Sequence, residues 1–464
     1  MTEQKNEQNS MGTAPIKKLM LSMGIPMILS MMLQAVYNIV DSAFVSNMPD
    51  VGELAQNALT LAFPVQILMV AVGIGTGVGV NAMVAQSLGQ GDREKASRAA
   101  GNGMFLCAVI FVLFVLFGIF GVDAYVGTQT ENPEIYEMAV SYLRICCCAS
   151  FGIAFFAIFE KLLQSTGRSL FSTIAQVTGA VLNMVLDPIL IYGWLGFPKL
   201  GVVGAALATV IGQIASMALG LVFHLLKNRE IKNGLRYMLP SGTVIKQVYS
   251  IGLPAIIAQA LMSVMTYGLN IIFVRIGENV VTAYGLYYKI QQFILFAAFG
   301  LRDAITPLVS FNYGKGSRSR INDGIKYGMI YTLVIMAAGL VLLEVLAVPL
   351  TSVFGLSEDT AALCVSAMRI ISLSFIFAGA NVAFQGIFQA LNGGLESLVI
   401  SVCRQFAFVL PVAWLFSLSA VNDISKIWLV WLTFPIAELV SMLIAMLLMK
   451  RIRKTRIEVL PAEQ

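Results

Sequence analysis

The sequence predicts an all-α membrane protein: twelve transmembrane helices in two six-helix lobes, related by a pseudo-two-fold axis along the membrane normal. Three observations carry this. Charge is scarce, apolar runs of span length recur down the chain, and the second half repeats the first.

Of 464 residues, 58% are hydrophobic and 12% charged. A soluble domain keeps roughly 25% charged residues to clothe its surface, so most of this surface must face lipid. Single soluble cores also stop growing at about 250–300 residues. The six cysteines (Cys107, Cys146, Cys147, Cys148, Cys364, Cys403) lie in apolar runs without metal-ligand spacing and read as small buried hydrophobes. His224, the single histidine, sits where an apolar run meets a basic loop and reads as structural. With no paired histidines, HExxH motif or Ser/His arrangement inside the runs, an enzyme is not expected, nor is a cofactor. Lys17 and Lys18 precede an apolar run that lacks a small-residue cleavage site, so this run reads as the first span and not as a signal peptide.

A membrane helix needs about 20 mostly apolar residues. Twelve such stretches centre near residues 30, 70, 108, 152, 182, 214, 260, 295, 338, 375, 408 and 438. The loops between them are short and rich in turn residues, as in Leu88-Gly-Gln-Gly-Asp92. Sorting the 30 basic residues by loop puts 22 on one side, in both tails, the loop from Arg93 to Arg98, the turn with Lys161 and Arg168, the segment from Lys227 to Lys246 and the loop from Lys315 to Lys326. The positive-inside rule then places both termini in the cytoplasm of a multi-pass plasma-membrane protein. These loops account for the net charge of +5 without a nucleic-acid partner.

The halves match at an offset of 225 residues: Gly89 and Gly91 with Gly314 and Gly316, Arg144 with Arg369, Gln164 with Gln389, Ser216-Met217 with Ser441-Met442. Gly24-Ile-Pro26 matches Gly252-Leu-Pro254 slightly further out. Six spans per half return the chain to its starting side, so the halves run in the same sense. The predicted division is a lobe over 1–226, a cytoplasmic linker over 227–246 and a lobe over 247–464. Such paired bundles commonly rock about a central cavity, and a monomer is expected.

Ionisable residues inside spans are costly and point to function. In span 1, Gln34, Asn38 and Asp41 follow i, i+4, i+7 spacing on one helix face, with Tyr37 four residues before Asp41. In span 5, Asn183 and Asp187 lie one turn apart, and Pro188 frees the carbonyl of residue 184. Span 6 adds Thr209 and Gln213, four apart, beyond the small-residue run from Gly201 to Ala208. A lone Asn or Gln in a span reads as an interhelical hydrogen bond. Two acids, each with an amide four residues away, do not. Facing one cavity they cannot both stay ionised and unpaired, so they would hold either a proton or a sodium ion. The second half lacks this set: Leu269, Phe408 and Val412 stand opposite Asp41, Asn183 and Asp187. Its buried candidates are Asp303, beside Arg302, and Glu438, which has no basic neighbour in its own span. Gln34, Asn38, Gln213, Asp303 and Glu438 are candidate substrate contacts. Glu160 and Glu344 fall near span ends, where interface water would solvate them, and Arg144 and Arg369 read as structural, binding helix-end carbonyls.

The stretch Leu33-Gln-Ala-Val-Tyr-Asn-Ile-Val-Asp41-Ser resembles span 1 of the multidrug and toxic compound extrusion (MATE) transporters. Ala85-Gln-Ser-Leu-Gly-Gln-Gly91, Leu163-Gln-Ser-Thr-Gly-Arg168, Asn183-Met-Val-Leu-Asp-Pro188 and the run from Gly201 to Thr209 are similar to further segments of that family. The likeness spans residues 17 to 450 and is greatest to the bacterial MepA-like branch. It implies antiport of small organic cations and drugs, through alternating access, against H⁺ or Na⁺. It also implies a cation-coupling site at Asp41, Asn183, Asp187 and Thr209, joined by Tyr37, whose first four residues would ligate the metal if the ion is Na⁺. A competing reading is a flippase of the same fold for lipid-linked oligosaccharides or peptidoglycan precursors, whose cavity should be basic. Counterflow kinetics in liposomes would separate a channel from an antiporter.

Overall fold

The computed structural model describes residues 10–49, 51–352 and 356–461. Helices account for nearly all of them, and among the described residues there is no strand. The first half holds α1 (Ile16–Ser46), α2 (Gly52–Gly89), α3 (Arg93–Phe120), α4 (Pro133–Cys148), α5 (Phe151–Ser165), α6 (Ser169–Tyr192) and α7 (Val202–Lys227). The second holds α8 (Gly242–Val274), α9 (Glu278–Lys315), α10 (Arg318–Ser352), α11 (Glu358–Ser372), α12 (Phe375–Ala390), α13 (Gly394–Val402), α14 (Val409–Asn422) and α15 (Ile427–Ile452). Ten helical stretches are long and apolar enough to cross a membrane. Two bent pairs, α4 with α5 at 46° and α11 with α12 at 52°, bring the number of spans to twelve when each pair is one span.

Local chemistry sets the helix ends. The Asp92 carboxylate accepts from Lys95 N at 2.8 Å to start α3, and Asn132 caps the first turn of α4 ahead of Pro133. Gly193 (φ 79°) closes α6 and Gly316 (φ 77°) closes α9 in a left-handed conformation that glycine adopts without strain. The lipid-facing side is plain on α3. Val109, Val112, Leu113, Leu116 and Phe120 form an exposed stripe at helical spacing, while Leu106, Cys107 and Ile110 are buried. An apolar surface of that extent is stable only against hydrocarbon.

The chain forms two compact units. Unit 1 contains Leu29–Ile256, and unit 2 contains Met11–Ile28 with Ile257–Gln464. This division cuts within helices, whereas the loop-based division at 227–246 counts whole spans. The cuts fall just after Pro26 in α1 and Pro254 in α8, where a proline removes one helical hydrogen bond and permits a bend. Inside unit 2, Gly300 packs so closely on the backbone of Met27 and Ile28 that a Cβ would lie 2.7 Å from it. Arg320 Nη2 donates to the carbonyls of Met11 and Ala14, each at 2.8 Å. Inside unit 1, a Cβ on Gly252 would lie 2.9 Å from the Gly75 carbonyl.

The basic segment after α7 is fastened to α3. Asn102 is 1% exposed. Its Nδ2 donates to Tyr237 O and Leu239 O, both at 3.2 Å, and its Oδ1 accepts from Ser241 N at 2.8 Å. Arg236 pairs with Glu94 at 3.0 Å, and Arg168 with Glu230 at 2.9 Å. Removing a buried side chain that satisfies three backbone groups costs about 1–3 kcal/mol for each group left unmet. Asn102→Ala is therefore expected to raise hydrogen–deuterium exchange across residues 235–241 by at least about tenfold, since 1.4 kcal/mol is a factor of ten. Unchanged exchange there would mean that the segment is held by its ion pairs.

Candidate functional site in the first unit

α1, α6 and α7 bring the predicted polar residues of unit 1 together. Asn183 and Asp187 share one face of α6 and are 2% and 0% exposed. Thr209 on α7 accepts from Asn183 Nδ2 at 3.3 Å and borders the same cavity as Tyr37 of α1. Asp41 lies within electrostatic reach of both Asp187 and Tyr37. The small-residue run on α7 permits this approach: a Cβ on Gly212 would lie 2.7 Å from the Gly179 carbonyl of α6.

Four acceptor atoms here have no protein partner: both carboxylate oxygens of Asp187, Oδ1 of Asp41 and Oδ1 of Asn183. Burying such groups unpaired is expensive. Carboxylate and amide oxygens of this kind suit a proton or a hard cation such as Na⁺. Among the described residues there is no group of three or more His, Cys, Asp or Glu placed to hold a metal ion, so the donor set does not resemble a transition-metal centre.

Tyr37, Asn183 and Thr209 also border a cavity of about 120 Å³. Gln34, Gln213 and Glu160 line it further along. On its wall, Gln176 Nε2 donates to Gln34 Oε1 at 2.7 Å, and the Ser30 hydroxyl donates to Gln176 Oε1.

The family model described as MatE matches residues 26–189 and 254–415. The chain belongs to the MatE family. Members of this family are transporters and not enzymes. Relatives include the multidrug export protein MepA of Staphylococcus aureus, 24% identical over 95% of both chains. MepA of Staphylococcus saprophyticus is also 24% identical, over 95% of this chain and 96% of that one. A solved structure of MATE in complex with MaL6 superposes with a TM-score of 0.89 at 25% identity, covering 97% of this chain and all of that one. An outward-facing multidrug resistance MATE family transporter superposes with a TM-score of 0.89 at 24% identity, covering 98% and 100%.

Within this MatE chain, several residues lie otherwise than their spacing suggested. Asn38 is exposed and does not border the cavity. At about 100° per residue, Tyr37 and Asp41 fall on one side of Gln34 and Asn38 on the other. Glu160 is 8% exposed and lines the cavity, so interface water does not solvate it. Lys161, counted above with the loop charges, is 1% exposed within α5 and lies 3.7 Å from Glu160. Gln164 bridges them, donating to Glu160 at 2.7 Å and accepting from Lys161 at 3.0 Å. The Glu160/Gln164 spacing of i, i+4 was a readable signal for this cluster. Ser30 and Gln176 left none. Arg144 pairs with Asp123 at 2.5 Å instead of binding helix-end carbonyls. His224 is buried between Asn228 and Asn233, at 3.0 and 2.9 Å, in a structural setting.

In unit 2, Asp303 pairs with Arg302 at 2.9 Å. Glu438 has no basic neighbour on its own helix, but the adjacent span supplies one. Arg404 grips its carboxylate through two nitrogens, at 2.7 and 2.8 Å.

Proposed function

We propose that this MatE-family transporter exports small organic cations and drugs by antiport, with H⁺ or Na⁺ bound at Asp41, Asn183, Asp187 and Thr209 and assisted by Tyr37. The observation that carries the reading is the set of four buried acceptor atoms without protein partners, beside a polar cavity. A cation entering there satisfies them, and its binding opposes that of a cationic drug in the same region. Drug-sized pockets occupy roughly 300–1,000 Å³, so the cavity of about 120 Å³ receives an ion, or one end of an amphiphilic cation, until the helices part. Pro26 of α1 is where that bend is placed. The expected setting is a monomer in the plasma membrane with both termini cytoplasmic, as the basic loops favour.

The flippase reading is disfavoured by the lining of the cavity. Glu160 contributes an acid, and no Lys or Arg borders it, whereas a pyrophosphate headgroup would call for basic side chains. The test is ethidium efflux from proteoliposomes under an imposed proton or sodium gradient, one at a time. One gradient is expected to drive efflux and the other to leave it at the leak rate. Efflux that ignores both gradients would refute the antiport reading.

A further inference from the structure

The two units treat one equivalent region in opposite ways. In unit 1, Phe156, Glu160, Gln176, Gly179 and Gln213 line the cavity. The 225-residue repeat places Asn381, Gln385, Ser401, Arg404 and Glu438 at these positions in unit 2. There they bond to one another. Gln385 Nε2 donates to Ser401 Oγ at 2.8 Å, and Asn381 Nδ2 donates to Glu438 Oε2 at 2.7 Å. Arg404 donates from Nε to Oε2 at 2.7 Å and from Nη2 to Oε1 at 2.8 Å. Where unit 1 has the hydrogen of Gly179, unit 2 has a guanidinium.

The backbone is built for this. Cys403–Ala407 forms a π-turn between α13 and α14, with Phe408 N donating to Cys403 O at 3.2 Å. Such turns are rare and concentrate at functional positions. The charged side chains are 7% and 13% exposed. A buried ion pair is seldom more stabilising than apolar residues of the same size, so stability alone does not explain it.

We infer that Arg404 is a tethered cation. It occupies, in unit 2, the place a cationic ligand takes in the unit 1 cavity. Unit 2 therefore keeps one charge state through the cycle, and ion- and ligand-driven rearrangement is confined to unit 1. The inference rests on reading the unit 1 cavity as a cation site, although its test does not depend on transport. If Arg404 fills a cation site, cutting it back exposes one shaped for a free guanidinium.

The experiment measures thermal unfolding of the purified full chain with millimolar guanidinium, methylguanidinium or ammonium. Arg404→Ala is expected to lower the midpoint. Guanidinium and methylguanidinium are expected to restore more than about half of that loss in a saturable way, as a ligand that binds only the folded state does. Ammonium, which lacks the planar fork, is expected to restore little. Wild type and the Arg404→Ala/Glu438→Gln double variant are expected to show no such rise. The absence of rescue in Arg404→Ala, or an equal rise in wild type, would overturn the inference. If Arg404→Ala yields no folded protein, Arg404→Lys and Arg404→Met decide. The lysine variant is expected to fold with a higher midpoint than the methionine variant, and the reverse order overturns it. Rescue together with full transport by Asp187→Asn would sink the proposed coupling site and leave the guanidinium site standing.

Discussion

Asp187→Asn is expected to lower gradient-driven drug efflux by about 100-fold at unchanged membrane abundance, near the upper end of the 1–3 kcal/mol by which two sites are typically coupled. The substitution keeps size and shape but removes the negative charge and the capacity to take up a proton. Asp187 is fully buried, and neither of its carboxylate oxygens has a protein partner. No neighbour therefore depends on it for a hydrogen bond, and an amide disturbs little of the fold. What is lost is the preference for a cation when the drug is absent. A ligand moves an equilibrium only by its differential affinity for the two states, so a site that cannot bind the ion cannot drive the change. Asp41→Asn is expected to act in the same direction. Wild-type efflux from Asp187→Asn at matched expression would remove Asp187 from the coupling site.

The acids were legible because a carboxylate stands out inside an apolar run whatever the tertiary structure. The twelve span centres were legible for a related reason: hydropathy over about 20 residues follows the solvent and not the fold. The bends between α4 and α5 and between α11 and α12 were not, since the apolar windows run through Ala149–Ser150 and Leu373–Ser374 without a proline. Pro26 and Pro254 announce kinks. Which unit each half-helix joins depends on contacts such as Gly300 against Ile28, hundreds of residues apart. Asn38 shows the limit of heptad reasoning, because a face about 60° wide is too coarse to decide which edge meets the cavity. Arg404 shows the limit of assuming one helical period, since its place on a π-turn departs from the 3.6-residue repeat.

Glu438→Ala is expected to cost about 3–5 kcal/mol, the usual penalty for leaving a buried charge without its partner. Arg404 would lose all three of its hydrogen bonds to the carboxylate at 7% side-chain exposure, and a guanidinium cannot shed its charge by deprotonation. Asn381 would be affected less, because its Nδ2 also donates to the Glu438 backbone carbonyl at 2.9 Å and that bond survives the truncation. Arg404→Met combined with Glu438→Leu removes both charges and keeps most of the volume, so it is expected to cost well under half as much as Glu438→Ala. Glu438→Gln should fall between them, retaining acceptors for Arg404 and Asn381 without the compensating charge. Denaturant unfolding of the detergent-purified chain orders these variants. If the double variant is as unstable as Glu438→Ala, the loss comes from packing at the π-turn, and the charge pair is not what holds these two helices in register.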